Sequence, residues 1–600
     1  MASLKKIFVG ICASIGALVM VLAVVAAVVG YFLWPQPAGI PDPVIVEIDF
    51  EKGVEEYAPT DSLISLISEK KPTVREMVLT IQEAAVDDRV KGIIARTGSS
   101  SMGLATVQEM RGAILAFRSK GKPAVVYAET FGEFGPGNSA YYLASAFDEI
   151  YLQPSGDLGL TGIIYSTPFI KETLEKLKIT PRLARREEYK TAANTFTESE
   201  FTPAQRESLT AIMQSCFGQI QEGIAKARSL SPDRVSGLID RGPFSSDEAL
   251  NVKLVDGLLY RDEVYARARA KMGSAAELMP LQDYWLRLDK DPSDKPLIAM
   301  IYGVGSIHRG KSKFSRLSGG ASMGSDTITK AFRAAADDSK VKAILFRINS
   351  PGGSYVASDT IWREIKRAKQ AGKPVIVSMG DVAASGGYFV AMAADKIVAQ
   401  PATLTGSIGV FAGKAVTTEF WKKLGVTWDQ VHSSAHSTIW SATDDYTPQE
   451  WEIIQRWLDR IYQDFTSKVA SSRGLTLEQV LPIARGRVWT GETAKAIGLV
   501  DEMGGISEAL RLAKELAGVP ADAEIDLQIF PKPRNLLEVI QKRLLNDDED
   551  QDAAADEDAV ELLAAASSTL PIFRHLLETL RFLPGSEVLS LPEAAFLTPH

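Results

Sequence analysis

A serine followed by two glycines, Ser385-Gly386-Gly387, comes after an apolar, β-branched run of the chain. The run predicts a buried strand over 374–377, and the residues after the glycines predict a helix over 388–394. A serine at such a junction presents its hydroxyl beside the unpaired N–H groups of the helix N-terminus, which favour a developing oxyanion. The glycines leave those N–H groups open to a substrate carbonyl. The pattern indicates nucleophilic attack by Ser385, and a tight turn without function is the alternative.

Lys190, in the segment REEYKTAANTF, is a candidate general base for that hydroxyl. A serine hydroxyl is a weak nucleophile until a base takes its proton, and a neutral lysine amine can do so. Because the ordinary pKa of lysine is about 10.4, the amine must be buried away from carboxylates to be neutral near pH 7. The neighbouring Glu187 and Glu188 must then point away from it. The alternative is a surface lysine, as most lysines are.

Two further features could complete such a site. Ser407, in LTGSIGV, could return to the same end of the sheet and hold the amine in its neutral state, although a simple turn is its alternative. The Gly352-Gly353 turn follows a predicted strand over 343–348. Its N–H groups could form an oxyanion hole with that of Gly386, and each donor of this kind lowers a barrier by about 3–4 kcal/mol.

A Ser-His-Asp triad is the competing arrangement, and it needs a histidine. Among the five histidines, only His432 and His436 are candidates, because they flank the position that corresponds to Lys190 in an internal repeat. We expect both to be surface or packing residues. The spacing of the histidines and of the two cysteines fits no metal site, so we expect neither a metal nor another cofactor.

The elements that must position these residues occur twice. Strand and helix patterns alternate from residue 44 onward, which is typical of an α/β fold. The segment DDRVKGIIAR (87–96) resembles DDSKVKAILFR (337–347), with an offset of 251 residues, and from Tyr141 and Tyr388 onward the offset is 247. So many matches in a nearly constant register indicate two copies of one domain of roughly 250 residues.

The two copies differ at the candidate site. Ser385 aligns with Asn138, and the first copy also lacks the Gly-Gly turn of 352–353. Lys190 aligns with Ser437. One copy therefore carries the serine and the other the lysine, which predicts a single site assembled from both halves of the chain.

Composition and charge restrict the function further. Six hundred residues suggest more than one domain, and the net charge of −9 argues against nucleic acid as the main partner. Lys5 and Lys6 precede an uncharged stretch over 7–34 that is long enough to cross a bilayer. The lysines predict a cytoplasmic N-terminus and an exported body. A cleaved signal peptide is the alternative, but its small-x-small site is absent.

The motifs RINSPGGS, GDVAASGGYF, PATLTGSIGV and EYKTAANTF together resemble the long, duplicated form of the signal peptide peptidase A family, also called protease IV, in the ClpP/crotonase-like superfamily. The resemblance covers residues 1–535. It implies an α/β fold of tandem ClpP/crotonase-like domains, built from ββα units in a spiral, with an N-terminal transmembrane helix. The predicted division of the chain is a cytoplasmic N-terminus (1–6), an anchor (7–34), a first repeat (35–285), a second repeat (286–535), and an acidic linker with an amphipathic tail (536–600).

The resemblance implies a serine endopeptidase that clears signal peptides left in the membrane, through an acyl-enzyme formed by a serine–lysine dyad. It makes Ser385 the nucleophile, Lys190 the general base, Ser407 the residue that orients the lysine, and Gly353 and Gly386 the oxyanion donors. It also implies a homotetramer on the bacterial inner membrane, with the catalytic body in the periplasm. The implied substrates are apolar peptides with small side chains at the cleaved bond.

Three other functions stay open at this point. A broader envelope quality-control protease is compatible with every residue named. A crotonase-type acyl-CoA enzyme would use the same glycine-rich turns, but it would need neither Ser385 nor Lys190 and would normally be soluble. Loss of Ser385 or Lys190 would favour a non-catalytic membrane scaffold, but both residues are present.

Overall fold

The computed structural model describes residues 39–58, 71–98, 102–288, 295–315 and 320–532. The predicted anchor over 7–34 and all of the chain beyond 532, including the acidic linker and tail, lie outside the described residues. Among the helices of the described ranges, none combines the length and the apolar character needed to cross a membrane.

Each half of the described chain is built around one mainly parallel sheet. The strands of the first sheet, in spatial order, are Gly257–Leu258, Glu149–Leu152, Ala124–Ala128, Val90–Arg96, Val44–Asp49 and Glu277–Pro280. Those of the second are Val488–Thr490, Leu404–Gly406, Val375–Ala384, Val341–Ser350, Leu297–Val304 and Asp526–Ile529, with Lys396–Ala399 and Glu502–Met503 continuing from the first half of Val375–Ala384. Parallel strands need crossover connections, and helices supply them in both halves.

The helices of the first half are Val74–Val86, Leu104–Arg118, Asn138–Ala144, Lys171–Leu177, Asn194–Thr197, Pro203–Arg228, Pro232–Ile239, Ser246–Asn251, Arg261–Met272 and Leu281–Arg287. Those of the second half are Ser325–Asp337, Tyr355–Gln370, Gly386–Ala391, Thr418–Lys423, Pro448–Arg473, Leu477–Ile483, Gly491–Ala496 and Ile506–Leu516. Small antiparallel ribbons join Asp157–Leu158 to Phe244–Ser245 and Thr180–Arg186 to Val410–Val416, and a third small sheet contains Ser306–His308, Lys313–Ser315 and Gly320–Gly324.

The duplication predicted from the sequence is confirmed, down to single contacts. The helices Pro203–Arg228 and Pro448–Arg473 each have 26 residues and a threonine N-cap. The hydroxyl of Tyr141 donates to the Leu254 carbonyl at 2.6 Å, and that of Tyr388 donates to the equivalent Leu499 carbonyl at 3.0 Å. Equivalent residues therefore make equivalent bonds in the two copies.

The two sheets share a core. One apolar cluster contains buried residues of both, including Val46 and Ile93 from the first sheet and Met300 and Leu345 from the second. The helix Leu104–Arg118 of the first repeat also contributes to this cluster, and we call it the bridging helix. The repeats are thus packed against each other through apolar side chains rather than joined only by a linker.

Two predicted elements differ from the structure around Ser385. The strand predicted over 374–377 extends over Val375–Ala384, although its second half is rich in small and polar residues. It continues because Leu404–Gly406 pairs with that second half, a long-range contact that a local apolar pattern does not show. The helix predicted over 388–394 is Gly386–Ala391, and it begins at the two glycines, which have low helix propensity.

A buried arginine connects the two repeats. Arg347, on a central strand of the second sheet, is fully buried. Its Nε lies 2.7 Å from Glu56 Oε1 and its Nη2 lies 2.9 Å from Glu109 Oε2, both in the first repeat. Its Nη1 donates to Ser378 Oγ at 2.8 Å. Because removal of one partner leaves an uncompensated buried charge, such a group is sensitive to substitution.

We therefore expect Arg347→Leu to lower the free energy of unfolding by about 3 kcal/mol or more, since it leaves two buried carboxylates without their cation. The matched control is Arg367→Leu, which removes an exposed arginine that pairs with Glu364 and is expected to cost less than about 1 kcal/mol. Urea unfolding followed by circular dichroism measures both changes. Equal unfolding midpoints for the two variants would contradict the prediction.

Candidate active site

Ser385 lies at the junction between the strand Val375–Ala384 and the helix Gly386–Ala391. Its backbone has a φ of 54°, in the left-handed region that non-glycine residues rarely adopt. The Ser385 N–H donates to the Gly406 carbonyl at 2.9 Å, so the neighbouring strand holds the turn in place. Strained residues of this kind persist only where surrounding contacts determine them, and they concentrate at functional sites.

The structure brings Ser385, Lys190 and Ser407 into direct contact. Lys190 Nζ lies 2.9 Å from Ser385 Oγ, 2.9 Å from the Ser407 carbonyl oxygen and 3.0 Å from Ser407 Oγ. Lys190 comes from the first repeat, and both serines come from the second. In the structure, as predicted, residues from both halves of the chain therefore form one cluster.

The three partners of Lys190 match a neutral amine. A neutral amine has two N–H donors and one lone pair, whereas the charged form has three donors and no acceptor. The Ser407 carbonyl can only accept, and the Ser407 hydroxyl can accept as well, so Ser407 can take both N–H groups. The lone pair is then left for the Ser385 hydroxyl, which can donate its proton to Nζ. Ser407 is thus placed to orient the amine toward Ser385.

Burial explains how this amine can be neutral. The Lys190 side chain is 5% exposed, and loss of solvation lowers its pKa from 10.5 to about 7. No carboxylate opposes this shift, because Glu188 forms an ion pair with Arg485 instead. Gly486 allows the close packing, since a Cβ at this position would lie 2.5 Å from the Lys190 backbone nitrogen.

Two glycines with free backbone N–H groups, Gly386 and Gly353, line the cavity beside Ser385. The N–H of Gly386 is the first of its helix, and the N–H of Gly353 lies in the turn opposite. Ile307 N–H donates to Gly352 O, and Ser354 N–H donates to Ile307 O, both at 2.8 Å, so the turn is fixed on either side of Gly353. Neither N–H has an acceptor within the described parts of the chain. They can together stabilise an oxyanion.

Comparison with known proteins gives the family. The model of peptidase family S49 matches residues 116–274 and 367–520, which is more than half of the chain and covers both copies. The chain belongs to peptidase family S49. The first match contains Lys190, and the second contains Ser385 and Ser407. A Clp protease model also matches residues 321–404, which include the Gly353 turn.

Several relatives of this S49 chain are similar over most of its length. It is 31% identical over 465 residues to the chloroplastic serine protease SPPA of Arabidopsis thaliana, covering 76% of this chain and 67% of the relative. It is 34% identical over 459 residues to Protease 4 of Salmonella typhi, covering 74% and 72%. It is 31% identical over 484 residues to Protease 4 of Haemophilus influenzae, covering 78% and 77%.

An apolar pocket, which the sequence did not reveal, adjoins Ser385. The cavity that contains Ser385 and Lys190 has a volume of about 610 Å³, and the rings of Tyr355, Phe389 and Phe465 line part of it. The ring centroids of Phe389 and Phe465 are 4.9 Å apart, and those of Tyr355 and Phe389 are 5.8 Å apart. These residues lie far apart in sequence, on three helices, so no local motif could have identified them.

In the first repeat, the positions equivalent to Ser385 and Ser407 are occupied by a hydrogen-bonded amide and a buried apolar side chain. Asn138, the counterpart of Ser385, accepts from the N–H groups of Thr161 and Gly162 at 3.0 Å each and donates to the Gly162 carbonyl at 2.7 Å. Leu160, the counterpart of Ser407 in the 247-residue register, is fully buried. This copy has neither a nucleophile nor an orienting hydroxyl, so its side chains serve packing.

The histidines of the alternative triad do not join Ser385. Neither His432 nor His436 lines the cavity that contains the serine. His436 Nδ1 instead lies 3.9 Å from Glu450 Oε1, and the imidazole is about half exposed. Ser437, the counterpart of Lys190, belongs to an exposed turn where it bonds to Ser434.

The depressed pKa of Lys190 predicts a pH-dependent contribution to stability. Between about pH 7 and about pH 10.5 the unfolded chain binds a proton at Lys190 that the folded chain does not. The free energy of unfolding of the natural protein, relative to Lys190→Met, should therefore rise with pH in that window by about 1.4 kcal/mol per unit and stay flat below it. Urea unfolding of both proteins between about pH 6 and about pH 9 measures the difference. A difference independent of pH would contradict the neutral buried amine.

Proposed function

We propose that this S49 peptidase is a membrane-anchored serine endopeptidase that hydrolyses remnant signal peptides and other apolar peptides at the membrane. The observation that carries the proposal is the 2.9 Å contact between Lys190 Nζ and Ser385 Oγ, beside two unpaired backbone N–H groups. The relatives named protease 4 and serine protease SPPA support hydrolysis of peptide bonds.

In the proposed reaction, the neutral Lys190 amine takes the proton of the Ser385 hydroxyl as Oγ attacks the scissile carbonyl carbon. The carbonyl oxygen becomes an oxyanion, and the N–H groups of Gly353 and Gly386 donate to it. The Lys190 ammonium then gives its proton to the leaving amine as the peptide bond breaks, which leaves an acyl-enzyme on Ser385.

Hydrolysis of the acyl-enzyme repeats these steps with water. Lys190 takes a proton from a water molecule that attacks the ester, and Ser385 leaves with that proton. Ser407 has the same role throughout, because it occupies two N–H groups of the amine and directs the remaining position to Ser385 Oγ. No cofactor is needed for either half of the reaction.

The cavity supports an apolar substrate. Its aromatic side favours burial of an apolar side chain next to the cleaved bond, and charged groups would lose solvation there. Small side chains at that bond, as in the cores of signal peptides, are part of the proposal. A broader envelope quality-control protease would use the same cavity, and a panel of signal-peptide and non-signal substrates distinguishes the two functions.

Membrane attachment completes the proposal. The uncharged stretch over 7–34 after Lys5 and Lys6 supports a single span, with the catalytic body on the periplasmic side of a bacterial inner membrane. Such an anchor would hold the cavity close to peptides that lie in the bilayer. The family match and the contact of Ser385 with Lys190 favour peptide hydrolysis over an acyl-CoA enzyme or a non-catalytic scaffold.

Hydrolysis of a fluorogenic apolar peptide by the detergent-solubilised full chain tests the function. We expect Ser385→Ala and Lys190→Ala each to lower kcat by about 10³-fold or more, because each removes a group that takes part in bond formation or proton transfer. Ser407→Ala should lower kcat by about tenfold, since it loosens the orientation of the amine.

The matched controls are His432→Ala and His436→Ala, which should keep the activity of the natural protein. Loss of activity in either histidine variant, with Lys190→Ala still active, would overturn the dyad in favour of a histidine base. Inactivity of the natural protein toward every apolar peptide in the panel would contradict the peptidase itself.

Two exposed segments of the surface support an assembly of several copies of this chain. Within one chain, Thr180–Arg186 pairs with Val410–Val416 in an antiparallel ribbon that joins the two repeats beside the cavity. In the 247-residue register, the counterparts of these strands are 427–433 and 163–169. Both counterparts are mostly exposed and belong to no strand of the described chain. Exposed apolar side chains concentrate there: Ile164, Tyr165, Trp428 and Val431.

We infer that 163–169 of one copy pairs with 427–433 of the next, which repeats between chains the ribbon that exists within one. Unpaired extended segments are ready templates for another strand. The contact is heterologous, so it closes into a ring if the rotation per copy allows. The homotetramer implied by the family resemblance is one such ring.

The pairing proposed between copies has the same register as the ribbon within one chain, and this register can be tested. It places Tyr165 opposite Val431, in the same way that Ala412 pairs with Ala184 within the chain. Tyr165→Lys and Val431→Glu should each shift the full chain toward monomers, and the double variant should restore the assembly, because each contact then joins opposite charges. Analytical ultracentrifugation in detergent measures the state. Val86→Glu, an exposed position elsewhere, is the control. A double variant no more assembled than the single ones would contradict the pairing.

A further inference from the structure

The strand that leads to Ser385 contains a bulge just before the serine. Ile348 pairs with Met379, and Ser350 pairs with Ala383. Three residues, 380–382, therefore lie opposite Asn349 alone. Bulges of this kind re-aim the chain that follows them, and here that chain carries Ser385. The position of the Ser385 hydroxyl thus depends on what holds the bulge.

Two bonds within the second repeat hold the ends of the bulge. Val382 N–H donates to Asn349 Oδ1 at 3.1 Å, and Thr403 Oγ1 donates to the Gly380 carbonyl at 2.8 Å. The side chain of Asp381, at the centre, leaves its own repeat. Its Oδ1 accepts from the Thr106 N–H at 3.0 Å, and its Oδ2 accepts from the Thr106 hydroxyl at 2.7 Å.

Thr106 belongs to the first turn of the bridging helix, which lacks an N-cap side chain of its own. The N-cap residue is Gly103, whereas the equivalent helix Tyr355–Gln370 begins at Ser354, whose hydroxyl accepts from the Ala357 N–H. Asp381 supplies to the first repeat the bond that Gly103 cannot make. The glycine is needed for this, because a Cβ at position 103 would lie 2.2 Å from Asp381 Cγ.

The bridging helix also contacts the segments that carry the other parts of the site. Gln108 Oε1 accepts from the Ala402 N–H at 2.8 Å, five residues before Ser407. Glu109 pairs with Arg347, on the strand that leads to the Gly352-Gly353 turn. One helix of the first repeat is therefore in contact with each of the three segments that form the second repeat's share of the site.

We propose that Asp381 and Thr106 are a positioning pair, through which the first repeat sets the place of the Ser385 hydroxyl relative to Lys190. The proposal rests on the proposed function of Ser385 and Lys190. Nucleophile and base lie on different repeats, so their separation depends on how the repeats dock. The Asp381–Thr106 bonds connect that docking surface to the bulge four residues before the serine. Neither residue lines the cavity that contains Ser385.

Loss of the pair should affect kcat rather than KM, because the cavity walls stay in place while the attack geometry relaxes. We expect Asp381→Ala to lower kcat by about tenfold to 100-fold, with KM within about twofold of the natural protein. The rate at which a fluorophosphonate labels Ser385 should fall in parallel with kcat, since it reports the same nucleophile without a peptide.

A double variant separates positioning from helix capping. Gly103→Ser combined with Asp381→Ala gives the bridging helix its own N-cap, as Ser354 does in the other repeat, and the alanine leaves room for the new side chain. We expect this variant to recover the unfolding temperature that Asp381→Ala loses, but not kcat or the labelling rate. Recovery of both rates would overturn the proposal, because Asp381 would then be a cap only.

If Asp381→Ala does not fold, two variants with smaller structural changes at Thr106 test the same contact. Thr106→Val removes the hydroxyl bond to Asp381 at nearly constant volume, and Thr106→Ser keeps it. We expect the serine variant to keep the natural kcat and the valine variant to lose about tenfold. Equal kcat in the two overturns the positioning role. A natural protein that neither hydrolyses peptides nor is labelled at Ser385 overturns the proposed function, and this inference with it.

Discussion

The buried amine of Lys190 is the group on which the rest of the site depends. An amine with a pKa near 7 exists only because the second repeat removes it from water and brings no carboxylate with it. Ser407 occupies two of the hydrogen-bonding positions of the Lys190 amine and leaves the third for Ser385. The packing that keeps the Lys190 amine neutral therefore also orients it, so both properties depend on how the two repeats dock.

The duplication explains how such an arrangement can arise. Two equivalent domains begin with equivalent turns, but here only the second copy retains the serine and the glycine-rich turn. In the first copy, Asn138 stands at the position of Ser385 and accepts hydrogen bonds from the N–H groups of Thr161 and Gly162. Leu160 stands at the position of Ser407. The first copy contributes instead the buried Lys190, a helix that reaches the bulge before Ser385, and two carboxylates for Arg347.

Polar contacts in the interface favour one docking geometry over others. Apolar packing between the sheets stabilises the contact between the repeats, but it is tolerant of small displacements. Arg347 with Glu56 and Glu109, and Asp381 with Thr106, have directional bonds that small displacements would break. This is a physical reason for burying charge in an interface whose alignment determines the distance between Ser385 Oγ and Lys190 Nζ.

Local patterns were sufficient for part of this fold. The apolar runs predicted strands over 343–348 and 374–377, which overlap Val341–Ser350 and Val375–Ala384, and Ser385 lies at the predicted junction of strand and helix. The predicted end of the second strand was wrong, because residues 378–384 are mostly small or polar and continue the strand only through pairing with distant segments, Val341–Ser350 and Leu404–Gly406. The anchor over 7–34 and the tail over 536–600 remain predictions from sequence, and so do the repeat boundaries near 285 and 535.

The sequence by itself determined the duplication, the unequal division of candidate residues between the copies, and the resemblance to a peptidase family. Each of these is a property of residue order and register. Only the tertiary structure decided that Lys190 is buried, that it meets Ser385 and Ser407, that three distant rings line the cavity, and that Asp381 caps a helix of the other repeat. The reason is that solvation and hydrogen bonding depend on neighbours in space. Lys190 and Ser385 are 195 residues apart, and Thr106 and Asp381 are 275 apart, so no local pattern contains either contact.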